Sequence, residues 1–165
     1  MLKVVAVVFA FLAGASPAQA KDLTNRLGVG VKSHSTLDLP ELAVVYNPSS
    51  ELQFAGGLGI DTQKDQSKFA ATAGVRRIVF KEQNMNFYMG GTVGLINWEE
   101  LNDAGTREKQ SGFELDAVFG GEFFFTGLES LGFTFEGGAG VISADNVRFR
   151  TIADSPFRAG IIFYF

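Results

Sequence analysis

The sequence has 165 residues, no cysteine and one histidine, and its 14 basic and 18 acidic residues leave a formal net charge of −4. The absence of cysteine excludes disulfides, thiolate metal sites and cysteine nucleophiles, and the acidic balance argues against nucleic-acid binding. With 20 Gly and 17 Phe against 4 Pro, the composition favours strands and close backbone approach over helices, and the length suits one folded domain.

The chain opens on Met1-Leu2-Lys3, continues through an apolar run from Val4 to Leu12, and reaches Ala18-Gln19-Ala20, which fits an A-x-A cleavage site. Residues 1–20 therefore read as a secretory signal peptide cut before Lys21, because the apolar run is too short for a spanning helix of about 20 residues. The mature chain, 21–165, keeps 13 basic and 18 acidic residues once Lys3 is removed, a net charge of −5.

Eight segments then alternate apolar and polar side chains at period two, near 24–32, 41–46, 51–61, 68–80, 85–97, 111–125, 131–143 and 155–165. Such alternation predicts strands with one apolar face. The connections Asn47 to Ser50, Lys81 to Asn84 and Thr126 to Ser130 are short. Those at the other end, Ser33 to Pro40, Thr62 to Ser67, Trp98 to Gln110 and Ala144 to Asp154, are mostly longer. An even number of antiparallel strands with short turns at one end and longer loops at the other is the layout of a bacterial outer-membrane barrel. No repeat or low-complexity tract interrupts it.

One column of each strand is apolar and free of charge, from Leu27, Val29 and Val31 in the first to Ala159, Ile161, Phe163 and Phe165 in the last. The other column collects glycines and charges, among them Arg26, Lys32, Arg76, Glu114, Asp116, Glu122, Glu136 and Arg158. A soluble barrel would have to turn the Phe- and Leu-rich column inward, yet eight strands enclose barely enough room for ordinary side chains. The membrane orientation places the glycines inside, where they leave space for long charged side chains that must pair with one another. The eight charged residues just named are expected to form an ion-pair network that closes the lumen.

Aromatic residues fall at two heights. Tyr46, Phe54, Phe80, Phe87, Phe123, Phe125, Phe133, Phe163 and Phe165 lie toward the short turns, and Phe69, Trp98, Phe113 and Phe157 toward the long loops, as the two interfacial belts of a membrane barrel require. Arg77 breaks the pattern by falling on the lipid face. It is expected to snorkel at the periplasmic boundary, or to lie at a bulge at Arg76-Arg77 that returns Ile78 and Phe80 to lipid.

With these strands, loops and the alternating ending Phe157, Ala159, Ile161, Phe163, Phe165 in place, the chain resembles the small eight-stranded outer-membrane barrels of the OmpA and OmpX type. The resemblance implies an all-β, antiparallel up-and-down transmembrane barrel in the outer membrane. It also implies contact with outer-membrane lipid and lipopolysaccharide, and an ending read by the barrel assembly machinery. No cofactor or metal is expected, and the barrel is expected to act as a monomer. Members of the family range from tethering and adhesion proteins to weak pores and lipid A-modifying enzymes, so the fold leaves activity open.

Catalysis of the lipid A deacylase kind needs a serine, a base and an orienting acid. The lone His34 sits between Ser33 and Ser35 in the first outer loop, without such an arrangement, and is expected to be a solvated loop residue. The sequence thus predicts a non-enzymatic barrel with a structural or surface role in adhesion or envelope integrity. A narrow pore for ions or small solutes and a lipid A-modifying enzyme are the alternatives.

Overall fold

The structure, a computed structural model, describes residues 22–64, 66–101, 106–151 and 158–165. The expected signal peptide and Phe157 lie outside the described residues. The chain forms strands β1 (Leu27–Ser33), β2 (Pro40–Tyr46), β3 (Leu52–Asp61), β4 (Lys68–Glu82), β5 (Met85–Leu101), β6 (Arg107–Phe124), β7 (Leu131–Ser143), β8 (Val147–Thr151) and β9 (Arg158–Tyr164).

Each strand pairs antiparallel with its sequence neighbour from β1 to β7, and the sheet closes on itself because β9 pairs with both β7 and β1. The closing register runs from Gly28 opposite Tyr164 to Lys32 opposite Gly160. Strand β8 pairs with the outer part of β7, from Ala139 to Ser143, and β9 with its inner part, from Leu131 to Glu136. Both therefore belong to the eighth stave, and the architecture is the expected closed, eight-staved, up-and-down barrel.

Alternation is strict enough that adjacent residues differ completely in exposure: Leu42 is 62% exposed beside Ala43 at 1%, and Leu95 is 64% exposed beside Ile96 at 2%. The outer surface consequently presents apolar side chains on every stave from β1 to β7. Soluble monomers rarely expose apolar patches beyond a few hundred Å², whereas an encircling apolar band is what hydrocarbon requires of a barrel.

Several boundaries differ from those expected. The first strand begins at Leu27 rather than residue 24, since residues 23–26 turn under the inner mouth. Asn25 takes a left-handed φ of 61°, a conformation Asn tolerates, and its amide donates to the Asn47 carbonyl at 2.7 Å. The long loop expected from Trp98 to Gln110 is mostly hairpin, with Trp98 opposite Gln110 and Leu101 opposite Arg107. The loop expected from Ala144 to Asp154 contains β8.

Arg77 does point outward at the rim of the short turns, where its guanidinium lies 3.7 Å from Glu51. The bulge lies lower than expected, between Ile78 and Phe80. Ile78 remains inside at 7% exposure, and Val79 and Phe80 both face out, because the extra residue of a bulge places two consecutive side chains on one face.

At the same end, Phe125 packs edge-on against Phe123 and Phe133 with ring centroids 4.8 and 5.2 Å apart. Phe54, Phe163 and Phe165 are also exposed there. Trp98 departs from the expected outer belt. It shares the inward parity of Ile96 and packs against an apolar cluster inside the barrel.

The lumen as candidate functional site

The inward column brings together three kinds of group, arranged in layers. At the inner mouth Leu23, Ala43, Val45, Phe124, Ile162 and Tyr164 form an apolar cluster. At the outer mouth Leu39, Ala70, Ile96 and Ile142 form a second, with Leu37 and Trp98 packed against it. Charged and polar side chains occupy the space between.

The lower polar layer centres on Glu136. Its partner across the β7–β9 ladder is Arg158, whose Nη2 lies 3.0 Å from Glu136 Oε2. Arg76 reaches Glu136 Oε1 from β4, and the Tyr88 hydroxyl donates to the same oxygen at 2.9 Å. Arg76 also donates through Nη1 to Gln53 at 2.9 Å and lies 4.8 Å from the centroid of the Tyr88 ring, a cation–π separation. One carboxylate thus receives two cations and a hydroxyl, as burial of a charge demands.

The upper layer is partly built by a loop. Lys32 Nζ lies 3.2 Å from Glu41 and donates to Thr72 at 3.5 Å. Glu114 accepts hydrogen bonds from Ser35 at 3.2 Å and from Thr36. His34 Nε2 stands 3.2 Å from Glu114 and 3.6 Å from Glu41.

His34 is therefore not a solvated loop residue: its side chain is fully buried, because the first outer loop folds down into the mouth instead of over it. Glycine leaves the room these side chains use. A Cβ on Gly94 would stand 2.7 Å from Glu114 Oε1, and one on Gly132 would stand 2.6 Å from Glu122 Oε1.

Of the eight residues expected in one network, the structure joins Arg76, Glu136 and Arg158 below, and places Lys32 and Glu114 above. The other three differ. Arg26 precedes β1 in the turn below the barrel and forms no ion pair among the described residues. Glu122 is buried beside the inner apolar cluster, where its Oε1 accepts from the Tyr164 hydroxyl at 2.6 Å rather than from a cation. Asp116 is buried, but its Oδ2 has no hydrogen-bond partner.

Glu41, Gln53, Tyr88 and Tyr164 were missed, although their inward parity was readable from Leu42, Phe54, Phe87 and Phe163 beside them. His34, Ser35 and Thr36 carried no periodic signal. Arg150 carries no strand signal in the segment expected to be loop, and from β8 it donates to the Ser35 carbonyl.

These features define a small eight-staved barrel of the outer-membrane type, with an apolar exterior and charged and polar side chains facing its lumen. Among solved structures, the crystal structure of the N-terminal β-barrel domain of Pseudomonas aeruginosa OprF is similar, with a TM-score of 0.59 over 86% of this chain and 98% of that one. The two sequences are 14% identical, so the likeness is one of fold. No protein-family model matches the chain, and no curated protein matches it by sequence.

Proposed function

We propose that this chain is an exported, non-enzymatic outer-membrane barrel whose lumen is closed and whose contribution to the envelope is structural or adhesive. The observation that carries this reading is the layering of the lumen: a layer of charged side chains, with Arg76 and Arg158 paired to Glu136 and Lys32 to Glu41, lies between two apolar clusters. Apolar constrictions oppose conduction by excluding water, and paired charges hold opposing walls together. An enzymatic reading gains little support at His34, since the neighbouring Ser35 hydroxyl donates to Glu114 and His34 Nδ1 accepts backbone N–H groups, so Ser35 is not paired with that base.

Cells lacking the chain should become sensitive to detergents and large antibiotics, and a His34→Ala variant should restore resistance as fully as the native chain. Loss of a fatty acid from lipid A, detected by mass spectrometry and dependent on His34, would replace this reading with the enzymatic one.

The alternating ending serves assembly. Phe163 and Phe165 project outward, and the Phe165 amide donates to the Leu27 carbonyl at 2.9 Å, so the last residue helps to close the barrel against β1. Deleting Phe165 is expected to lower the amount inserted into the outer membrane, measured by membrane fractionation. Insertion at the native level would count against the assembly role.

A further inference from the structure

The loop between β1 and β2 enters the lumen without a strand ladder to dictate its path. The ladder ends where Ser33 meets Pro40, followed by a single backbone bond from the His34 amide to the Leu39 carbonyl at 3.0 Å. Beyond it the loop is held by side chains. His34 Nδ1 accepts the amides of Thr36 and Leu37 at 2.9 and 3.0 Å, which leaves Nε2 as the proton-bearing nitrogen and aims it at Glu114 and Glu41. Ser35 and Thr36 donate to Glu114, and Arg150 pins the Ser35 carbonyl.

One inward position deeper than Glu114 on β6 lies Asp116, 5% exposed, with its Oδ2 lacking a partner. An unpaired buried carboxylate oxygen behind the loop is costly in a dry lumen and suits a space that admits water or a cation. The carboxylates facing this level are Glu41, Glu114 and Asp116. Lys32 and Arg150 are the bases, and Arg158 is committed to Glu136.

We propose that the first outer loop is a removable plug over an acidic vestibule, and that withdrawing it opens the upper lumen to small cationic solutes. The loop replaces such a solute, with the Ser35 and Thr36 hydroxyls donating to Glu114 and His34 Nε2 standing 3.2 Å from it. The loop is also held by Leu37 and Leu39 in the outer apolar cluster and by Lys68 donating to the Asp38 carbonyl at 3.2 Å, but a segment outside the strand ladders opens at lower free energy than ladder-bonded walls, so the loop can leave while the barrel stays intact. This inference rests on the closed lumen proposed above.

The test uses Thr92→Cys, the only thiol in a chain without cysteine. Thr92 is paired with Asp116 across the β5–β6 ladder and is 5% exposed. The full mature barrel, its folding checked by heat-modifiable gel mobility, is treated with methanethiosulfonates bearing either a trimethylammonium or a sulfonate group.

Modification should be slow with the native loop. It should become at least about tenfold faster when His34→Ala and Thr36→Val are added, since losing even the Thr36 bond to Glu114, one of the several contacts the pair removes, is worth about that factor, with the cationic reagent the faster of the two. Arg150→Ala, which frees the Ser35 carbonyl without altering the loop, gives a second and milder release of the same sign. A thiol protected in every background would overturn the plug while leaving the closed lumen standing. Rapid modification behind the native loop would overturn the closed lumen itself, and a faster anionic reagent after release would overturn the acidic vestibule.

Discussion

Glu136 and Glu114 lie on neighbouring strands, face one lumen and are 3% and 1% exposed, yet they are satisfied by different parts of the chain. Glu136 takes its partners from the walls: Arg158 from β9, Arg76 from β4 and Tyr88 from β5. Glu114 takes its partners from a loop: His34, Ser35 and Thr36. The lower layer is therefore as rigid as the sheet that carries it, and the upper layer is only as secure as its loop. Both meet the same requirement, that a buried carboxylate be paired and hydrogen-bonded, but breaking them should have different consequences.

The largest effect is expected at Glu136. Its replacement by alanine leaves Arg76 and Arg158 without their shared carboxylate, and breaking a buried pair costs about 3–5 kcal/mol. Urea unfolding in lipid vesicles, followed by the strand circular dichroism signal, should register this as a global loss of stability. A change below about 1 kcal/mol would show that the lower layer is not the brace described here.

His34→Ala should act more weakly and locally. It removes the acceptor of two amides and the ring nitrogen 3.2 Å from Glu114, worth about 1–3 kcal/mol in all. The cost should appear as opening of the loop rather than of the barrel. Trp98, the single tryptophan, packs against the outer cluster that Leu37 and Leu39 join. Its emission should shift to the red while the strand signal is retained. Coincident loss of both signals would erase the distinction between the two layers.

The smallest effect is expected at the outer hairpin, outside both layers. The Lys109 amine lies 3.1 Å from Glu99 with its side chain 74% exposed. Such surface pairs contribute about 0–1 kcal/mol, so Lys109→Ala should leave the unfolding midpoint nearly unchanged.

How much of this was legible in the sequence follows the same division. Period-two alternation assigned the outward and inward columns, so Arg76, Glu136 and Arg158 could be placed in the lumen from their parity alone. Applied without exception, the same parity would also have placed Glu41, Tyr88 and Trp98 inside. Glu41 stands inside on the short β2, and Trp98 at the outer end of β5 packs against the outer apolar cluster.

Parity says nothing about which inward groups meet across the barrel, and this is why Glu122 and Asp116 were grouped with cations that they do not contact. A loop has no period at all. Whether His34 folds in or out depends on Glu41, which the β1–β2 hairpin sets opposite Lys32, and on Glu114, which only the curvature of the barrel brings beside it, and no local signal in Ser33-His34-Ser35 encodes that. The bulge between Ile78 and Phe80 was displaced for a related reason, since the alternation reveals that a register must shift but not at which residue the ladder gives way.

The central claim is that the barrel closes its own lumen. Planar-bilayer conductance of the purified mature chain tests it most directly. The native protein should produce no sustained conductance steps, and Glu136→Ala, if it still inserts, should produce more openings than the native chain. Sustained unitary steps from the native protein, abolished when Arg76 or Glu136 is altered, would contradict the account.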